Sequence, residues 1–371
     1  MTDQLDNIKR VVIKIGSALL VDGDNGELRA DWLSSVIQDV AILRQQGKDV
    51  IIVSSGSIAL GRKRLGLSMG KKLDVNQAAA ALGQIELAAA YRNRLNDHDL
   101  DAAQILLTYE DTEVRRRYLN ARNTITRLLK MGVVPVINEN DTVATDEVRF
   151  GDNDRLAARV AVMCEADCLF LLSDINGLYT ADPNKNSDAE FISQVSEITS
   201  EIEDMAGDPV STGFGSGGMI TKLKAAKIAT ASGCHMVILN GTEKHPVKSY
   251  MDQGLGTWFS AAQTPLQAKK KWIRGTLHTA GRVHIDAGAE AALRKGRSLL
   301  PIGMVKVEGT FERGDSISVI NHMGDEIARG LTAYNNQDAE KLIGQQSQDI
   351  EQCLGYGGRD EIIHRSDLVM L

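Results

Sequence analysis

Arg10-Val11-Val12-Ile13-Lys14-Ile15-Gly16-Ser17 decides the fold: a short β-branched run that stops at glycine and serine. Runs of the same kind recur at 50–53, 103–107, 133–137, 168–172 and 236–239, separated by helix-forming stretches at 30–46, 75–96, 113–131, 154–165 and 219–232. Strands alternating with helices of that length are the pattern of βαβ units joined into a mainly parallel sheet. The expected fold through about residue 260 is a three-layer α/β/α sandwich around an open sheet. Open parallel sheets bind ligands beyond the carboxyl ends of their strands, so the residues directly after each run are the first candidates for a site.

The chain has 371 residues, more than the roughly 250–300 over which a single core keeps growing, so a second, smaller domain is expected. The pattern changes near 263–271, a polar stretch with Pro265 and consecutive Lys269, Lys270 and Lys271. Beyond it, short strands at 281–285, 303–308 and 316–320, glycine-rich turns and a helix at 286–295 suggest a small β-rich barrel. The expected boundaries are a catalytic domain at 1–262, a linker at 263–275 and a second domain at 276–371. With 43% hydrophobic and 25% charged residues the composition is that of an ordinary globular protein.

A formal net charge of -7 gives no general attraction to nucleic acid or anionic lipid. Residues 1–10 are polar, with no apolar run long enough for a signal peptide or a spanning helix, which leads to the expectation of a cytoplasmic protein without membrane partners. Cys164, Cys168, Cys234 and Cys353 contain no CxxC pair and the histidines no HExxH, so buried free thiols and no metal site held mainly by protein are expected.

Several strand ends carry chemistry. Lys14 with Gly16 and Ser17 sets a cation and a flexible turn at the sheet edge, suited to phosphate. Val53-Ser54-Ser55-Gly56-Ser57 leads from a strand into a helix, whose free N–H groups and dipole favour a carboxylate or a phosphate. Gly56 to Lys63 imitates the glycine spacing of a phosphate-binding loop but has Arg62 in place of its lysine and Lys63 in place of its Ser or Thr, which excludes that motif. Asn138-Glu139-Asn140-Asp141-Thr142 follows the fourth strand. Gly151-Asp152-Asn153-Asp154 follows an expected hairpin and opens a helix. Part of this second cluster is helix capping; the rest can converge on a ligand ammonium group or orient cationic catalytic side chains. Ser173-Asp174 ends another strand, and Gly213 to Lys222 is a glycine loop running into a helix, read as a cradle for nucleotide phosphates. Lys14 and Lys222 with acids and glycine loops between them suit in-line phosphoryl transfer, which depends on positioning and charge neutralisation.

Lys14-Ile15-Gly16-Ser17, Ser54-Ser55-Gly56 and the string from Ser173 to Pro183 resemble the amino acid kinase family, whose members phosphorylate carboxylates, carbamate and UMP; the likeness covers about residues 8–260. The stretches at 136–141, 151–154 and 217–222 narrow it to members that phosphorylate the side-chain carboxylate of L-glutamate with ATP, the first step of proline synthesis. The resemblance implies Lys14, Asp154 and Lys222 as catalytic, with Asp154 organising the reacting centre. It implies Ser55, Gly56, Asp141 and Asn153 as substrate-binding, and Lys14, Gly16, Ser17, Ser173, Asp174, Ser216, Gly217, Gly218, Met219, Ile220, Thr221 and Lys222 as nucleotide-binding. Ser17 and Ser173 stand where threonine is common, and Ile220 where serine is frequent. The resemblance also implies Mg²⁺ carried mostly by nucleotide oxygens, feedback inhibition by proline, and a homo-oligomer, tetramer or dimer.

The stretch 280–350 is similar to the PUA domain, which elsewhere often binds RNA. Here basic and acidic residues in 270–371 are nearly equal in number, which gives RNA binding little electrostatic support. Two rival readings follow: acetylglutamate or aspartate as acceptor, or an RNA-binding protein whose kinase-like domain is silent.

Overall fold

The computed structural model describes residues 5–68, 70, 72–145, 153–183, 185–206, 218–275 and 278–371. The hairpin expected before Gly151 lies outside the described residues. Two compact units divide between Pro265 and Leu266.

In the first unit the strands are β1 (Arg10–Ile15), β2 (Asp49–Ser54), β3 (Ala102–Leu107), β4 (Val134–Glu139), β5 (Cys168–Ser173), β6 (Leu178–Tyr179), β7 (Phe191–Ile192), β8 (Gln194–Val195), β9 (His235–Asn240) and β10 (Thr257–Phe259). The large sheet is ordered β3-β4-β2-β1-β5-β9-β10-β8. Pairing is parallel from β3 across to β9, and β10 enters antiparallel to β9. β1 is central because the chain goes from it to one side for β2, β3 and β4 and then returns to its other side for β5. That reversal opens a crevice at the carboxyl ends of β1, β2 and β5. Those ends are level, with Ile15 opposite Ser54 and Lys14 opposite Leu171; farther along, Ser173 lies opposite Asn240.

Successive strand residues point to opposite faces, and here both faces are apolar, as in a parallel sheet covered on both sides. Val11, Ile13 and Ile15 join a core with the helix Ala30–Gln45 and with Leu87, Tyr91 and Leu95 of the helix Leu73–Asn96. Val12, Ile51 and Val53 join a second core with the helices Arg115–Lys130, Asn153–Met163 and Met219–Ala231. Three layers result, as the sequence pattern predicts. Lys14 shares the parity of Val12, so it rises on the face covered by the last two of these helices.

The glycines that imitate a phosphate-binding loop have two separate structural causes. Gly56 turns the chain from β2 into the helix Ser57–Arg64 with φ of 107°, a left-handed value open to glycine. Gly61 lets that helix press against Leu73–Asn96: a Cβ there would stand 1.8 Å from the Ala79 carbonyl oxygen, and one on Gly83 1.9 Å from that of Ser57. Arg62 is buried and clamps the intervening loop, with Nε donating to Asn76 Oδ1 at 3.0 Å and Nη2 to the Gly70 carbonyl at 2.9 Å.

The second unit holds β11 (Gly281–Ile285), β12 (Met304–Gly309), β13 (Ser316–Ile320), β14 (Glu326–Leu331) and β15 (Leu368–Met370) in a mixed sheet ordered β12-β11-β13-β14-β15. Its core includes Val283, Phe311, Val319 and Ile363. The segment 263–275, expected as a linker, contains the helix Pro265–Gly275, which is bound into this unit. Ile273 packs with Leu331 and Val369, Arg274 Nη2 donates to the Met370 carbonyl at 3.0 Å, and Lys269 pairs with Asp367.

Gly83→Ala should lower stability by about 1–3 kcal/mol through overpacking. Urea unfolding followed by circular dichroism checks this, with Gly23→Ala, where an added Cβ meets nothing within 4 Å, as the neutral comparison.

Candidate active site

Asp154 lies in the first turn of Asn153–Met163 and is completely buried. Lys14 Nζ, from the end of β1, stands 2.5 Å from its Oδ1. Lys222 Nζ, from the first turn and a half of Met219–Ala231, stands 3.5 Å from Oδ2, and Thr221 Oγ1 donates to the same oxygen at 3.0 Å. Burial alone would raise the Asp154 pKa, but the fields of Lys14 and Lys222 and the bonds from Lys14 and Thr221 outweigh it and hold the carboxyl below its ordinary value. The acid stays ionised and is held between two lysines at the sheet edge. Lys14 folds back over its own turn, where a Cβ on Gly16 would stand 3.5 Å from Nζ.

Asn153, one residue earlier, turns toward the opposite half of the crevice. Its Nδ2 lies 2.8 Å from the Ser54 carbonyl oxygen, 2.7 Å from Ser55 Oγ and 3.0 Å from Asn138 Oδ1. Asn138, at the end of β4, donates from Nδ2 to Ser57 Oγ at 3.3 Å and to Gln84 Oε1 at 2.9 Å. Ser57 Oγ in turn donates to Asp141 Oδ2 at 3.2 Å. Neutral amides and hydroxyls thus line this half, with Asp141 at its rim.

The structure therefore brings Ser55, Gly56, Asp141 and Asn153 to one side of the Asn153-Asp154 pair and Lys14, Gly16, Thr221 and Lys222 to the other. Ser173 ends β5 beside β1, with Oγ donating to Asp174 Oδ1 at 3.1 Å. Ser17 begins the short helix Ser17–Leu20. Gly218, Met219 and Ile220 begin the helix that carries Lys222, and Gly218 offers no capping side chain; Ser216 and Gly217 lie outside the described residues. Of the two uses open to the acids, the contacts of Asp154 are those of a group that orients lysines. Gln84 escaped the sequence reading altogether, and Ser57 and Asn138 stood in its strand-end stretches without roles of their own. A buried glutamine inside the small-residue run Ala78-Ala79-Ala80-Ala81-Leu82-Gly83-Gln84 is the signal that marks one of them.

Among the described residues, no group of three or more His, Cys, Asp or Glu is arranged to hold a metal ion. The Asp154 oxygens face Lys14, Thr221 and Lys222.

A central parallel sheet whose strand ends gather two lysines, a buried acid and an amide cluster defines a class of α/β phosphotransferases, and comparison with known proteins specifies it. Residues 9–240 match the amino acid kinase family and residues 281–354 the PUA domain; the chain belongs to the amino acid kinase family. It is 54% identical over 362 residues to a glutamate 5-kinase of Paramagnetospirillum magneticum, covering 98% of each chain. It is 56% identical to a glutamate 5-kinase of Agrobacterium fabrum, covering 97% of this chain and 92% of that one. Among solved structures it is similar to UMP kinase from Ureaplasma parvum, with TM-score 0.47 and 17% identity over 68% of this chain and 99% of that one.

Asp154→Asn leaves two buried ammonium groups without their shared counter-charge and should cost about 3–5 kcal/mol of stability. Because the folded pKa of Asp154 is lowered, its contribution is present above the unfolded value of about 4 and disappears as pH falls through the folded one. Urea midpoints of the two proteins should therefore differ by a constant amount from about pH 5 to 8 and converge only below about pH 4.

Proposed function

We propose that the chain transfers the γ-phosphoryl group of ATP to the side-chain carboxylate of L-glutamate, giving L-glutamyl 5-phosphate and ADP, the first step of proline synthesis. The carrying observation is the adjacency of Asn153 and Asp154: one belongs to a neutral amide and hydroxyl cluster suited to an acceptor, the other to a cationic cluster suited to a phosphoryl group. The glutamate 5-kinases to which the chain is similar over nearly its whole length support the choice of acceptor.

A glutamate side chain, with a pKa of about 4.3, is already ionised at neutral pH, so no protein base is required. A carboxylate oxygen attacks the γ-phosphorus in line while the bond to the β–γ bridging oxygen breaks and ADP leaves with the electron pair. Lys14 and Lys222 neutralise charge on the transferred group, and Asp154 fixes both lysines. Ser55, Gly56, Asp141 and Asn153 receive the amino acid. Gly16, Ser17, Ser173, Asp174 and the stretch from Ser216 to Lys222 receive the nucleotide. Mg²⁺ would be held mostly by nucleotide oxygens and water and would add to the charge neutralisation that Lys14 and Lys222 supply.

The resemblance to the family carries proline inhibition, a homo-oligomer and a cytoplasmic location into this reading. No helix among the described residues is long and apolar enough to cross a membrane. RNA binding by the second unit is left out of the reading for want of a basic excess.

A coupled ADP-release assay with glutamate, acetylglutamate and aspartate tests the acceptor. Turnover is expected with glutamate and falls when proline is added; turnover only with one of the others overturns the assignment. A steep salt slope in RNA filter binding without ATP turnover would instead favour a silent domain. Lys222→Ala should reduce kcat by about 10²–10³-fold while changing the KM for ATP far less; the reverse split would make Lys222 a nucleotide anchor only.

A further inference from the structure

The helix Ala30–Gln45 lies on the sheet face away from the lysine cluster, yet its inner surface grips the loop that follows β9. Trp32, Ser35 and Asp39, spaced along one helix face, are all nearly fully buried. Trp32 Nε1 donates to the Gly241 carbonyl at 2.8 Å and to the Glu243 carbonyl at 3.0 Å. Ser35 Oγ accepts from the His245 backbone N–H at 3.1 Å. Asp39 Oδ1 meets His245 Nδ1 at 3.1 Å, while Oδ2 accepts the Val247 and Lys248 N–H groups at 2.9 and 3.2 Å. Asp39 therefore caps the helix Pro246–Gln253 from outside its own sequence, in place of His245, which sits at the N-cap in a left-handed conformation with φ of 57° and offers no capping bond.

The gripped loop touches the proposed nucleotide half of the site directly. Gly241 N–H donates to the Ser173 carbonyl at 2.7 Å. A Cβ on Gly241 would stand 2.6 Å from Leu19 Cδ1, 2.9 Å from Leu172 Cβ and 3.4 Å from Ser173 N. Leu19 belongs to the helix that opens at Ser17, and Leu172 precedes Ser173 on β5. Gly241 thus packs against both the short helix that follows β1 and the end of β5, and Trp32 holds its carbonyl.

We infer that Trp32 and Gly241 are positioning residues for the nucleotide: the indole holds the loop after β9 in place, and the loop fixes the β1 and β5 ends around the phosphates. This rests on the reading of those ends as the nucleotide site. The acceptor half hangs mainly on β2, β4 and the Asn138 amide, and its Ser55 N–H donates to the Ile15 carbonyl at 3.0 Å on the β2 side of β1, away from the loop after β9. Disturbing the grip should therefore separate the two substrates.

ATP affinity is measured by titration calorimetry on the full chain without acceptor, and the KM values for ATP and glutamate by ADP release. Trp32→Phe, which keeps an aromatic ring but removes the N–H, should weaken ATP about tenfold and leave the glutamate KM within about twofold. Gly241→Ala, which pushes on Leu19 and Leu172 directly, should show the same split even where Trp32→Phe folds poorly. Val50→Ala, a buried change at the opposite end of β2, supplies a comparison that loses stability without touching the grip. Unchanged ATP affinity in Gly241→Ala, or equal loss for both substrates, or the same loss in Val50→Ala, overturns the inference. ATP binding without glutamate turnover in the unaltered chain refutes only the choice of acceptor, whereas absence of ATP binding overturns both.

Discussion

Three charges buried at one point govern this structure: the carboxylate of Asp154 between the ammonium groups of Lys14 and Lys222. Two like charges do not share a desolvated site without a counter-charge, and an isolated carboxylate there would take up a proton. Each group is therefore stable only because the others are present. The cluster ties together the end of β1, the start of Asn153–Met163 and the start of Met219–Ala231, three elements far apart in the chain.

Much of this was legible because strands carry parity. Past Arg10, β1 reads as a continuous apolar run except for Lys14, and an even-numbered position on β1 points to the face lined by Val12. A lone cation at the end of a central strand has to find an anion on that face or a ligand beyond the edge. Asp154 opens the helix that covers it. The order of the strands was not legible, since alternation gives strands and helices but no neighbours. The central place of β1 emerges only from pairing with both β2 and β5.

The parts of the site that the sequence concealed are those built from neutral groups over long separations. Asn138, Gln84 and Ser57 come from a strand and two helices, and their meaning lies in mutual hydrogen bonds that no local pattern predicts. Trp32 and Gly241 are separated by 209 positions. Each alone reads as an ordinary core tryptophan and an ordinary turn glycine. Arg62 shows the opposite case, a residue in a conspicuous motif whose role is to bind the carbonyls of its own loop. Charge at a strand end advertises itself, whereas buried polar satisfaction becomes visible only in three dimensions.

A transfer that uses no protein base obtains its rate from placement, and placement here is a matter of strand ends held by neighbours rather than by the substrates. Asn153 and Asp154 are consecutive on one helical turn, so the amide cluster and the ion cluster share one anchor. The two halves are nonetheless supported from different directions: the acceptor half by Leu73–Asn96 through Gln84, the nucleotide half by Ala30–Gln45 through the loop after β9. Both supporting helices pack on the face of the sheet opposite Lys14 and Lys222. In the proposed transfer the face with the charges supplies the chemistry, and the face without them holds the strand ends in place for it.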